Sequence, residues 1–185
     1  MQYIKDRTFT EYIKDAIFIL EYYHYNNIDE DVDYLKHFMK FEFLKKKAIK
    51  TINNFGGVIY RGIDSRSVAI GGDLPDILDP KFDITSWTTD YYTAQAFASK
   101  NGLVLIEHDL SNVIFYMDHF MDFVKTNLYK YLEYDYQLIV EAYVSESEII
   151  CKSKPFKLIN GVSRTNDTYV SIWVYTIMSI LWCVH

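Results

Sequence analysis

Proline and cysteine are scarce in this chain, with three Pro and two Cys among 185 residues. So few prolines leave long stretches in which helices and strands can run without a fixed kink. Cys151 and Cys183 are too few for a disulfide framework and lack metal-ligand spacing; this argues against a disulfide-stapled scaffold and a metal centre, and points to a reducing compartment. Positive charge is also in deficit: the net charge is −6, which gives no general attraction to nucleic acid. Lys45, Lys46, Lys47 and Lys50 form only a local basic cluster. Met1 to Thr10 has no apolar run behind a basic start, so no secretory signal is read and a cytoplasmic site of action is expected.

Apolar and aromatic residues are plentiful. Half of the chain is hydrophobic and 17% is aromatic, including 17 Tyr and 12 Phe, a composition that folds rather than stays disordered. The length suits one domain with a real core. A single domain over 1–185 is expected, with a helical part at 1–55, a core at 57–160 and an apolar C-terminal segment at 168–185.

Phe9, Tyr12, Ile13, Ala16, Ile17, Leu20 and Tyr23 recur at the 3.6-residue period of an amphipathic helix. A second helical stretch is expected from Asp29 to Ile52, ended by Gly56 and Gly57. Val58-Ile59-Tyr60 then reads as a short strand closed by Arg61-Gly62, and glycines and prolines keep 64–80 irregular. Phe82 to Thr88 alternates as a strand, and Asp90 can cap a helix to about Ser99 with small residues at Ala94, Ala96 and Ala98. Leu103 to Glu107 reads as a strand and Met117 to Leu132 as a helix. The β-branched and aromatic run Gln137 to Val144 is expected to be a strand, with a further short strand at Glu148 to Cys151 or Phe156 to Leu158. The order favours an α+β fold over a regularly alternating parallel sheet.

Three segments carry the chemistry: Tyr60-Arg61-Gly62; Ser86-Trp87-Thr88 with the helix that follows; and Asp135-Tyr136-Gln137 before Leu138-Ile139-Val140. Arg61 offers a permanently charged planar fork suited to a phosphate or ribose network. Ser86 both donates and accepts, and Thr88 shares its strand face. Together these segments resemble the NAD-binding core of the arginine–serine–glutamate class of ADP-ribosyltransferases, in which a strand-end Arg, a Ser-Thr-Ser-like strand and a Glu-x-Glu or Gln-x-Glu strand start surround NAD. The resemblance covers roughly half of the chain, including the small-residue helix at Thr93 to Ala98 and the strand Gly102 to Leu105.

The resemblance implies an ADP-ribosyltransferase-like mixed β core and an NAD-dependent mono-ADP-ribosyltransferase of the small bacterial or phage toxin or effector type. It implies NAD as co-substrate, no metal, a protein or nucleic-acid acceptor, an antitoxin or inhibitor protein as a further partner, and no stable membrane association. Tyr60, Arg61, Gly62, Ser86, Thr88 and Tyr92 are the expected NAD contacts, and Ser86, Asp135 and Gln137 the expected catalytic positions. Gln137 departs from the pattern, because a glutamate is expected there to hold the ribose 2′-hydroxyl and stabilise developing positive charge. Three readings follow: a deliberately inactivated chain, a natural inactive relative that binds NAD or a partner without chemistry, or an active enzyme using Glu133, Asp135 or Glu141. In the resembling family a Glu at the first motif position goes with arginine acceptors and a Gln with other residues, so Asp135 leaves the acceptor open.

Thr168 to Val184 has no charged residue and is strongly apolar. Its length is at the short edge of a membrane span, and its Ser and Thr content fits a buried strand pair or helix better.

Overall fold

The computed structural model describes residues 9–25, 33–64, 77–78, 82–98, 103–145, 147–157 and 171–174. The first helix, α1, spans Phe9–Tyr25 and buries Ala16, Ile19 and Leu20. The second helical stretch is divided. Asp33 caps a short α2, Tyr34–Phe38, by accepting from the Lys36 N–H at 3.0 Å, and a 3₁₀ segment follows at Met39–Leu44 before α3, Lys45–Asn54. The three-residue 3₁₀ repeat stacks residues at i and i+3, which lines up Phe38, Phe41 and Leu44, all buried. That row of large side chains favours the tighter helix over one continuous α-helix. Gly56 and Gly57, at φ 99° and 71°, end α3. Gly57 N–H donates to Ile52 O at 3.0 Å and Gly56 N–H to Asn53 O at 3.2 Å, the Schellman pattern that left-handed glycines permit.

Six strands form the main sheet: β1 Ile59–Ile63, β3 Ile84–Thr88, β4 Leu103–Glu107, β5 Val113–Tyr116, β6 Glu148–Lys152 and β8 Ser171–Val174. Their order is β5-β6-β3-β1-β4-β8, antiparallel throughout except for the β4–β8 pair. A two-stranded ribbon pairs β2, Ile77–Leu78, with β7, Phe156–Lys157. Both candidate strands near residues 148 and 156 therefore form. Most of the 64–80 loop and, apart from β8, the apolar tail lie outside the described residues. The remaining helices are α4, Tyr91–Ala98, α5, Met117–Asn127, and α6, Tyr134–Ala142.

The architecture is α+β. Strand alternation divides the core between the two faces of the sheet. Ile84, Ile114 and Ile150 pack toward α1, α2, α5 and α6, whereas Trp87, Ile149 and Cys151 pack with Ala48 and Ile52 of α3. Consecutive residues Ile149 and Ile150 thus serve opposite layers. Among the described residues no helix is long and apolar enough to cross a membrane.

One expected strand is corrected. Residues 134–142 are helical, not extended. Tyr136, Ile139, Val140 and Tyr143 follow the i, i+3, i+4, i+7 spacing, and they meet the core cluster that contains α1. Tyr136 also donates its hydroxyl to Glu21 of α1 at 2.6 Å. Packing of that stripe overrides the β preference of the individual residues.

Candidate active site

Arg61 and Gly62 lie inside β1 rather than closing it. β1 pairs with β4 along its whole length but with β3 only through Tyr60 and Thr88. Where that ladder stops, Arg61 Nη1 donates to the Ser86 carbonyl at 2.9 Å. The guanidinium fork thereby bridges two strands whose backbones have parted. Burial pushes Arg61 below its usual value, with the nearby Tyr22 opposing the shift; a guanidinium remains a cation through such a perturbation.

β3 pairs along five residues with β6, which sets Ser86 opposite Ile150 and Thr88 opposite Glu148. Tyr60, Thr88 and Glu148 consequently form one row across three adjacent strands. A cleft of about 220 Å³ opens there, lined by this row with Arg61, Gly62 and Ser86 and, from α4, by Thr93, Ala94 and Phe97.

The α4 wall depends on two local features. Asp90 caps the helix, accepting from Tyr92 N–H at 3.0 Å and from the Thr93 hydroxyl at 2.8 Å, and these bonds, Thr93 foremost, hold its carboxyl below the usual range. Gly62 lets α4 lie directly on β1: a Cβ at residue 62 would fall on the Ala94 carbonyl oxygen and 2.6 Å from the Ala98 nitrogen. Only glycine allows so close an approach of backbone to backbone.

Glu148 is delivered by an anchored turn. Tyr143 donates its hydroxyl to Asp118 Oδ1 at 2.6 Å, Ser145 donates to Asp118 Oδ2 at 2.8 Å, and Ser147 sits at φ 55° in the left-handed region immediately before β6. The phenol of Tyr22 on α1 is raised by burial and then by Glu148. Cys151 is fully buried and its thiol is pushed well up by desolvation, so it is no nucleophile. Among the described residues no cluster of His, Cys, Asp or Glu could hold a metal.

Tyr60, Arg61, Gly62, Ser86 and Thr88 are brought together on the cleft. Tyr92 is not: it is 76% exposed and does not line it. Gln137 and Asp135 stand on α6, away from it. The Gln137 amide donates to Tyr129 O at 3.1 Å and Leu132 O at 3.0 Å, so it closes a turn. Asp135 borders a separate hollow with His24 and Glu133.

No protein-family model, curated protein or solved structure matches the chain.

Sequence reasoning missed Glu148, Thr93 and Phe97 as cleft residues. For Glu148 a signal was present. Glu146-Ser147-Glu148 stands directly before Ile149-Ile150-Cys151, which fits a Glu-x-Glu strand start better than Asp135-Tyr136-Gln137.

Proposed function

We propose that the chain is an NAD-dependent mono-ADP-ribosyltransferase whose catalytic carboxylate is Glu148. The observation that supports this is the position of Glu148 opposite Thr88 at the start of β6, on one cleft with Arg61 and Ser86. An arginine, a strand serine and a Glu-x-Glu strand start are the three parts of the resembling site. The argument for an inactive relative rested on Gln137 and loses its basis once the carboxylate is sought at residue 148.

Each residue has a task that its chemistry suits. Arg61 holds phosphate or ribose oxygens with its fork. Ser86 and Thr88 provide hydroxyls along one wall. Glu148 accepts from the ribose 2′-hydroxyl and stabilises positive charge on the ribose carbon as the C–N bond breaks and its electron pair leaves with nicotinamide. An acceptor nitrogen then forms the new bond to that carbon and releases its proton to solvent. The cleft is below the roughly 300–1,000 Å³ usual for small-molecule pockets, which suits the nicotinamide end of the dinucleotide with the remainder at the exposed rim. With Glu146 in the first motif position, the resemblance points to an arginine side chain as acceptor.

The test is release of nicotinamide from NAD, with and without an arginine-bearing acceptor such as agmatine. Glu148→Gln is expected to slow release by about 100- to 1,000-fold, as for loss of one preorganised electrostatic group. Release from the unaltered chain that survives Glu148→Gln undiminished would overturn the assignment.

A further inference from the structure

Glu148 opens β6 with a ladder partner on one side only. β3 sets Thr88 opposite it, but the β5 ladder ends with Tyr116 opposite Ile149, because β5 gives way to α5 at Met117. Just past that last pair, Asp118 continues the connection with its side chain. Its Oδ1 accepts from the Tyr143 hydroxyl at 2.6 Å and its Oδ2 from the Ser145 hydroxyl at 2.8 Å. The Ser145 oxygen in turn accepts from the Ser147 N–H at 3.4 Å, which a hydroxyl can do through a lone pair while it donates its proton. One carboxylate is thus linked through Ser145 to the residue directly before Glu148.

That residue needs holding. Ser147 sits at φ 55°, in the left-handed region that a side chain disfavours, and such a conformation persists only where its surroundings fix it. The other arm of the clamp is firmly seated: the Tyr143 ring is half-buried and lies 5.4 Å from that of Tyr23 on α1. Burial and then Asp118 push the Tyr143 phenol up, so it stays a donor at neutral pH. Asp118 itself stands in the first turn of α5, where the helix dipole favours a negative charge. We infer that Asp118 is a positioning residue for the reaction: by gripping the Tyr143 and Ser145 hydroxyls, its carboxylate fixes the turn into β6 and so holds the Glu148 carboxylate in the cleft. The consequence is that turnover depends on a carboxylate that does not itself line the cleft.

This inference rests on the proposed transferase activity with Glu148 as its carboxylate, and kinetics on the full chain separate the two. Asp118→Asn puts one acceptor and one N–H donor in place of two acceptors, so one of the two hydroxyls loses its partner. The expected result is a roughly 10- to 100-fold lower kcat for nicotinamide release, in the range that misplacement of a reacting group produces, with KM for NAD within about twofold. A merely structural role would lower the urea midpoint and leave the kcat of the folded protein as it was. Asp118→Asn combined with Glu148→Gln is expected to be no slower than Glu148→Gln alone, because Asp118 acts only through that carboxylate. Ser145 is exposed, so Ser145→Ala carries the same test should Asp118→Asn not fold, with a kcat loss of about 10-fold expected. Unaltered kcat in Asp118→Asn, or in Ser145→Ala where it stands in, overturns the positioning role while leaving the transferase intact, and so do losses that multiply in the double variant. An unaltered chain that releases no nicotinamide overturns the transferase reading and this inference with it.

Discussion

Arg61 Nη1 donates to the Ser86 carbonyl at 2.9 Å, a side chain bridging two strands whose only direct register pair is Tyr60 with Thr88. The bond does two things. It satisfies a backbone acceptor that would otherwise lose its ladder partner where β1 and β3 part. It also draws a half-buried cation into the wall of the cleft that holds Glu148, so the sheet's structural need and its electrostatics meet in one residue.

Gln137 is expected to matter for stability and not for turnover. Gln137→Ala leaves two turn carbonyls without their donor and should cost on the order of 1–3 kcal/mol, read as a lower urea midpoint, with nicotinamide release unchanged. Gln137→Glu sets a carboxylate against the same two carbonyls and should destabilise at least as much. A gain of activity in Gln137→Glu would return the catalytic position to α6.

Gly62→Ala tests the close seat of α4 on β1. Its methyl meets helix backbone at Ala94 and Ala98 rather than a side chain that can swing aside. A loss of about 1–3 kcal/mol is expected from overpacking, together with weaker NAD binding by calorimetry, since α4 supplies Thr93 and Phe97 to the cleft. Unchanged stability would mean that α4 shifts without cost.

Asp90 gives a pH signature. Its folded-state carboxyl is held below the usual value by Thr93 and Tyr92. A depressed carboxylate contributes stability that is present above its unfolded value of about 3.9 and disappears as pH falls through the folded value. Urea midpoints of the unaltered chain and of Asp90→Ala should therefore differ at neutral pH and converge in acid below about pH 4. A constant gap across that range would show that the cap acts without its charge.

Much of the architecture could be read along the chain because its causes are local. The α1 stripe, the glycine stop of α3, the Asp90 cap and the alternation of β3 each depend on residues within a few positions of one another. The segment 134–142 misleads for a physical reason: Tyr136, Ile139, Val140 and Tyr143 are β-formers one by one, and only the neighbouring helices α1 and α5 give their helical stripe something to cover. The proposed catalytic carboxylate was legible in principle at Glu146-Ser147-Glu148, but two apolar runs followed acidic or amide residues, and spacing alone does not say which run pairs with the serine strand.

By itself the sequence determined an α+β chain with Arg61 and Ser86 on strands and a capped small-residue helix beyond them, since side-chain period and turn chemistry act at short range. Only the tertiary structure decided that Glu148 faces Thr88 and that Gln137 closes a turn on α6. Strand register and helix docking are set by which buried faces fit together across the whole chain, and that fit is not written in any one segment.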